Sequence, residues 1–441
     1  MKASRTSLLL LAIVILSAVP LLSCSSESTP PTDFEILRED YCQTSLSEEI
    51  IEMNFASHFG VLHDDPKYYQ DQIELGAPWE RTVVFNMELN EIADGIRWTD
   101  NDLLLQALDS YVMKAQMKGI WLMVEIYVFR PLSNVQRVEE VLKLVAERYD
   151  RDGDRDMPCL KYPVKHFGVG NELAGTFKGT AQDFLAVLTT CHDALSEANP
   201  DVRIVQAGLV PYSINSGDIQ LWDSLFSLGA QDYIDVSVFH EIQGRENLIS
   251  LIYYLAYFSE KGLDRPMWIN ELEFEYTADA PSLTQEKYAP VFIRYMTHAL
   301  AHGVDKVFFA NFKNPPPHIP VGLSVPFTDA SALIDSNDQR TLLFQVVQTF
   351  IQRFDRFDSA DVLRETIEEG VYPNKELFKI ATEGHFKFVV EGQNHYVLWG
   401  AGAVPTEITG NVIVTDIFGE TSQMVAGNIV LTGTPIYVTA V

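Results

Sequence analysis

Lys165-His166-Phe167-Gly168-Val169-Gly170-Asn171-Glu172-Leu173 carries a mostly apolar run that stops on an amide and a carboxylate, and Pro266-Met267-Trp268-Ile269-Asn270-Glu271 stops in the same way. Runs this solid in apolar residues are strands covered on both faces. Six more lie at 59–62, 81–85, 119–127, 202–207, 233–240 and 306–311. Between them come stretches of helical period, among them 102–117, 134–149, 181–198 and 287–301. Strands alternating with amphipathic helices predict a parallel α/β protein. Eight such units over roughly 250 residues fit a closed (β/α)8 barrel, the TIM barrel, better than an open doubly wound sheet.

Outward from this region the pattern changes. A long apolar helix is expected at 342–354, and after it come strand candidates at 386–390, 396–399, 412–414, 429–431 and 436–438. The first two flank Gly392-Gln393-Asn394, a hairpin signal, so a small all-β, sandwich-like domain is expected at the C-terminus. At the other end, Lys2 and Arg5 precede an apolar run from Leu8 to Leu22 that suits a signal peptide and is short for a membrane span. The expected division is a signal peptide at 1–23, a tether and N-terminal segment at 24–50, the barrel at 51–358 and the β domain at 359–441.

Leu21-Leu22-Ser23-Cys24 resembles the bacterial lipobox, which implies acylation of Cys24 and export to the cell envelope, with membrane contact through that lipid only. Cys42, Cys159 and Cys191 remain, enough for one disulfide, with Cys159–Cys191 as the expected bridge. The net charge is −29, and loss of the signal peptide makes it two units more negative, which excludes nucleic acid as a partner and favours a neutral glycan.

Barrel enzymes work at the C-terminal ends of their strands. Glu172 directly follows the fourth strand and Glu271 the seventh, so the two face each other across the barrel mouth. A pair of carboxylates so placed is what acid and nucleophile need to cleave a glycosidic bond. The chain resembles clan A of the glycoside hydrolases, in which Asn-Glu follows strand four and a Trp-Ile-Thr-Glu-like run forms strand seven. The resemblance implies that Glu172 is the acid/base, Glu271 the nucleophile, and Asn171 a partner of the sugar 2-hydroxyl. Arg81 resembles the arginine that keeps the nucleophile ionised, and His240 resembles an active-site histidine. Tyr127 and Phe309 are further expected substrate contacts, and no cofactor or metal is implied.

The sequence departs from the family at two points. Ile242 stands where a tyrosine often follows the histidine, and Phe308, Phe309 or Phe312 replaces the strand-eight tryptophan that floors the sugar site. Glu273 is the fallback for Glu271, because Glu271, Glu273 and Glu275 could share one strand face. Asp150, Asp152, Asp154 and Asp156 form either a calcium loop or a solvated acidic one; Lys161 occupies the closing position of an EF-hand. The absence of HExxH and GxSxG leaves zinc-protease and serine-esterase chemistry without a basis. The expected activity is therefore a retaining glycosidase acting on an external polysaccharide or oligosaccharide. Two other readings are an inactive barrel that binds glycan as a surface receptor and a carbohydrate-binding role for 360–441.

Overall fold

The structure, a computed structural model, describes residues 32–99, 101–210, 217–243, 248–249, 251–274, 284–315, 329–369 and 378–441. The proposed signal peptide and Cys24 lie outside them, as does Glu275. Among the described residues no helix is long and apolar enough to cross a membrane.

Strands β1 (Phe59–Leu62), β2 (Trp79–Glu88), β3 (Trp121–Tyr127), β4 (His166–Val169), β5 (Arg203–Gln206) and β6 (Ser237–Gln243) come first. After a two-residue strand, β7 (Leu248–Ile249), come β8 (Met267–Phe274) and β9 (Val304–Phe309). Apart from β7, these form one parallel sheet in the order β5-β4-β3-β2-β1-β9-β8-β6. Isolated parallel bridges Val205–Val236 and Leu209–Phe239 bring β5 back to β6 and round the sheet into a barrel. All eight expected barrel strands are present.

The expected helices are present too, as Asn101–Met117, Val135–Arg148, Ala181–Ala198, Gln285–Ala301 and Leu342–Phe354. Three start on side chains that accept a backbone N–H of the first turn: Asn134, Thr180 and Thr341. Caps of this kind satisfy donors that the helix itself leaves unpaired.

The N-terminal mouth of the barrel is plugged by helix Glu48–Ala56, whose last carbonyls have no partner within the helix. The Phe55 carbonyl accepts from Trp79 Nε1 at 3.1 Å and from Lys306 Nζ at 3.1 Å, and the Ile51 carbonyl accepts from Trp121 Nε1 at 3.1 Å. Burial pulls the Lys306 ammonium pKa down to about 8. Above the plug the interior is filled by Trp79, Trp121, Met123, Val238, Trp268 and Phe308. That end is solid packing, so any chemistry belongs to the other.

The second unit is one antiparallel sheet. Its strands are β10 (Ser359–Glu369), β11 (Phe378–Val390), β12 (Gln393–Trp399), β13 (Asn411–Asp416), β14 (Thr421–Val425) and β15 (Ile436–Ala440), in the order β10-β11-β12-β15-β13-β14. It packs on helix Leu342–Phe354, with Phe354 at 5.1 Å from Phe388 and 5.2 Å from Tyr437 between ring centroids. The expected strand at 429–431 is not one: it follows a 3-10 turn, and Val430 is exposed. The strand in that region is β14, an exposed, largely polar edge that hydrophobic patterning passes over. β7, in the connection after β6, pairs with β11 and ties that connection, at the C-terminal end of the barrel strands, to the second sheet.

The expected Cys159–Cys191 bridge is corrected to Cys42–Cys159, with Cα atoms 5.3 Å apart. Cys191 sits on the inner face of helix Ala181–Ala198 with Phe184, Val187 and Leu195, sealed in the core. A bridge spanning so much chain contributes about 2–4 kcal/mol, chiefly by restricting the unfolded state. In the acidic loop, Asp150, Asp152 and Asp156 bring oxygens within 4.8 Å of one another. The loop answers them itself, through N–H donors of Arg151, Asp152, Gly153 and Asp154.

Candidate active site

Local backbone irregularities aim the polar groups at the C-terminal mouth. Along β6 and β8, Phe239 pairs with Ile269 but His240 pairs with Glu271, so Asn270 is an extra residue. Such a bulge rotates the residues after it, and it turns Glu271 onto the face that carries His240. After β4, Gly170 takes φ 80° and Glu172 φ 47°. A non-glycine residue held there costs roughly 1–3 kcal/mol, a strain concentrated at functional sites. Thr176 Oγ1 donates to the Asn171 carbonyl at 2.6 Å and secures the turn.

Arg81, on β2, is the hub. Its Nε donates to Glu125 Oε2 at 2.7 Å, Nη1 to Glu271 Oε1, and Nη2 to Asn171 Oδ1 at 2.8 Å. His240 Nδ1 lies 2.9 Å from Glu172 Oε1 and 3.4 Å from Glu271 Oε2. One carboxylate oxygen of Glu172, one of Glu271 and a ring nitrogen of His240 all lie within 4.8 Å of one another. Side-chain exposure rises outward, from 1% at Arg81 and Glu125 to 11% at Glu271 and 32% at Glu172.

The electrostatics come from this nesting. Burial works against the Arg81 charge, but Glu125 and Glu271 outweigh it and hold the guanidinium protonated. Burial pushes the Glu125 carboxyl up, and Arg81 opposes the shift. For His240, burial disfavours the imidazolium, yet Glu271 and Glu172 prevail and its pKa is raised. Two acids thus share one fixed cation, and a third shares a histidine inclined to be one. The Glu172–His240–Glu271 group has the donors to ligate a metal, but Arg81 already places positive charge on Glu271.

Five of the seven expected catalytic and substrate-binding residues converge here: Glu172, Glu271, Asn171, His240 and Arg81. Tyr127 ends β3, stacked on Phe129, with Arg81 and Glu271 near enough to act on its hydroxyl. Phe309 is a correction: it faces the surrounding helices, between Phe59 and Phe292 at 6.2 and 5.6 Å. Adjacent strand residues point to opposite faces, so Phe308 takes the interior and fills the barrel near its N-terminal end. Phe312 is stacked on His63 at 5.0 Å and fully buried. None of the three lies open at the mouth. Glu273, the fallback, stands opposite Ile242, one pleat beyond Glu271.

Sequence reading misses Glu125. Its signal is a lone carboxylate within the apolar run Trp121–Tyr127, two residues before Tyr127 and so on the same strand face. Two glycines make the space. A Cβ on Gly168 would come 3.0 Å from Glu125 Oε2, and one on Gly208 would come 1.9 Å from His240 Nε2.

No protein-family model and no curated protein matches the sequence. Solved structures do match in fold. One is a family 39 glycoside hydrolase from the gut symbiont Bacteroides cellulosilyticus WH2, with TM-score 0.58 and 14% identity over 87% of this chain and 81% of that one. A glucosidase from Croceicoccus marinus gives 0.57 and 10%, over 88% and 97%. A GH39 β-xylosidase from Caulobacter crescentus gives 0.55 and 11%, over 87% and 96%. At such identities the likeness is one of architecture: this chain has the barrel-plus-β-domain fold found among clan A glycoside hydrolases.

Proposed function

We propose that this chain is a retaining β-glycosidase acting on an extracellular polysaccharide or oligosaccharide. The observation that carries the reading is the closeness of Glu172 and Glu271, with oxygens within 4.8 Å of each other and both near one histidine nitrogen. Double displacement uses carboxyl groups about 5–5.5 Å apart, whereas inversion needs about 6.5–9.5 Å to admit a water.

The surroundings support one division of roles. Glu271 touches Arg81 and is the carboxylate kept ionised; its oxygen attacks the anomeric carbon as the glycosidic bond breaks. Glu172, the more exposed and without an arginine contact among the described residues, gives its proton to the leaving oxygen. It then takes a proton from the water that displaces Glu271. Asn171, its oxygen held by Arg81, has its amide N–H groups left for a sugar hydroxyl.

His240 has a role the family resemblance does not supply. Burial works against protonation of His240, whose Nδ1 lies beside both carboxyl groups, and Glu271 and Glu172 favour it. Forming the glycosyl ester neutralises Glu271 and ionises Glu172, so negative charge moves between the two groups that His240 touches. The imidazole stands beside both groups before and after, which spares reorganisation during the step.

The test is turnover of aryl β-glycosides by the chain from residue 25 onward. Glucosides and xylosides come first, given the activities named for two structural neighbours. Proton NMR should show the β-anomer released first. First release of the α-anomer would mean inversion, and glycan binding without turnover would favour the receptor reading.

Placement at the cell envelope through Cys24 belongs to the same proposal. It is supported by the Cys42–Cys159 disulfide, a bond that persists in oxidising compartments. Cys24→Ser should shift the protein from the membrane fraction to the soluble one; unchanged fractionation would remove the lipid anchor.

A further inference from the structure

A second cluster of metal-ligating side chains lies where the β sheet meets the barrel, on elements that the proposed glycosidase chemistry does not use. His298 and His302 are four residues apart at the end of helix Gln285–Ala301, so both rings leave the same face, with centroids 4.4 Å apart. Glu365 reaches them from β10. Its Oε1 lies 2.5 Å from His298 Nδ1 and its Oε2 2.7 Å from His302 Nε2.

Two features set this cluster apart from an ordinary surface contact. Glu365 stands between two register irregularities, at Val362/Arg364 and Glu365/Ile367. Paired bulges interrupt the ladder and re-aim the side chain, and here they turn it onto the helix. In addition, Glu365 is only 5% exposed, yet no lysine or arginine pairs with it among the described residues. A carboxylate buried to this degree needs a cation or strong donors. Its partners are two imidazole nitrogens, which donate N–H to it without a cation and, in the other neutral tautomer, turn lone pairs to a bound one.

We propose that His298, His302 and Glu365 bind a zinc-class divalent cation that fastens the β10 arm of the second sheet to the barrel. Two nitrogens and one carboxylate oxygen select zinc or its neighbours over calcium and magnesium, which take all-oxygen sites. The fourth position goes to water on the side of His302, which is 23% exposed while His298 is 0%. The role is structural: the ion joins a barrel helix to β10, whose hairpin partner β11 also holds β7 in the connection following His240's strand.

The experiment uses the chain from residue 25 onward, stripped with EDTA and dialysed, with zinc chloride as the titrant and cobalt as the spectroscopic probe. Calorimetry should give one zinc per chain, the melting temperature should rise by a few degrees when zinc is in large excess over Kd, and cobalt should show ligand-field absorption bands. His302→Ala, at a partly exposed position, and Glu365→Gln, which keeps the side-chain shape, should each weaken zinc by at least about tenfold. Glu172→Gln should leave zinc affinity unchanged, which separates this site from the catalytic cluster. Binding that ignores His302→Ala and Glu365→Gln, or a wild-type protein that folds and takes up no zinc, overturns the proposal.

Discussion

Glu271→Gln should lower kcat/KM on an activated aryl β-glycoside by on the order of 10⁴-fold or more, with the fold intact, because an amide cannot supply the attacking carboxylate. The substitution preserves shape and a carbonyl oxygen that can still accept from Arg81, and Arg81 retains Glu125. Glu172→Gln should behave differently. Its loss should be about 10²–10⁴-fold where the leaving group needs protonation, and small where the leaving group is good enough to depart unaided. Azide should restore turnover in the Glu172 variant and yield a β-glycosyl azide, since a small anion can replace the water that Glu172 no longer activates. The same anion would give the opposite anomer from a Glu271 variant with its side chain cut back. Steady-state kinetics on a series of aryl leaving groups checks the assignment. Substantial residual activity in Glu271→Gln, with activity abolished in Glu273→Gln, would move the nucleophile one pleat along β8.

The barrel is legible because each parallel strand is buried on both faces and therefore reads as a compact apolar run between amphipathic helices. The same property hides the errors. In Val307-Phe308-Phe309 both faces are apolar, so nothing in the pattern says which phenylalanine looks inward, and Phe309 reads as a site residue although it packs on Phe59 and Phe292. Glu172 and Glu271 can be read because each breaks an apolar run at its end. Glu125 interrupts one in the middle, and its meaning depends on Arg81, which lies on a different strand. The bulge at Asn270 is equally hidden, since it is a property of the pairing between β6 and β8. Strict alternation from Trp268 would send Glu271 outward; the extra residue is what brings it to His240. The polar edge strand β14 and the Cys42 partner of Cys159 share that dependence on tertiary context.

Arg81→Met should be the most damaging single change for both folding and activity, and the double variant Arg81→Met/Glu125→Leu should separate the two effects. Removing the guanidinium leaves Glu125 and Glu271 facing each other in the barrel without a fixed cation, and breaking a buried ion pair from one side costs about 3–5 kcal/mol. Urea or thermal unfolding should record that loss. Replacing Glu125 as well removes the uncompensated charge and should return most of the stability, since apolar substitutes for buried ion pairs are often neutral or better. Turnover should not return, because Glu271 and Asn171 both remain without the group that holds them. If the double variant recovered activity along with stability, Arg81 would be structural cement for Glu125 and the electrostatic role assigned to it would fall. Arg81→Lys gives a finer measure: one ammonium keeps the charge but cannot reach Glu125, Glu271 and Asn171 together as the guanidinium fork does. Its stability should therefore lie above that of Arg81→Met while its kcat stays low, which would identify the geometry of the fork, and not charge alone, as what prepares the site.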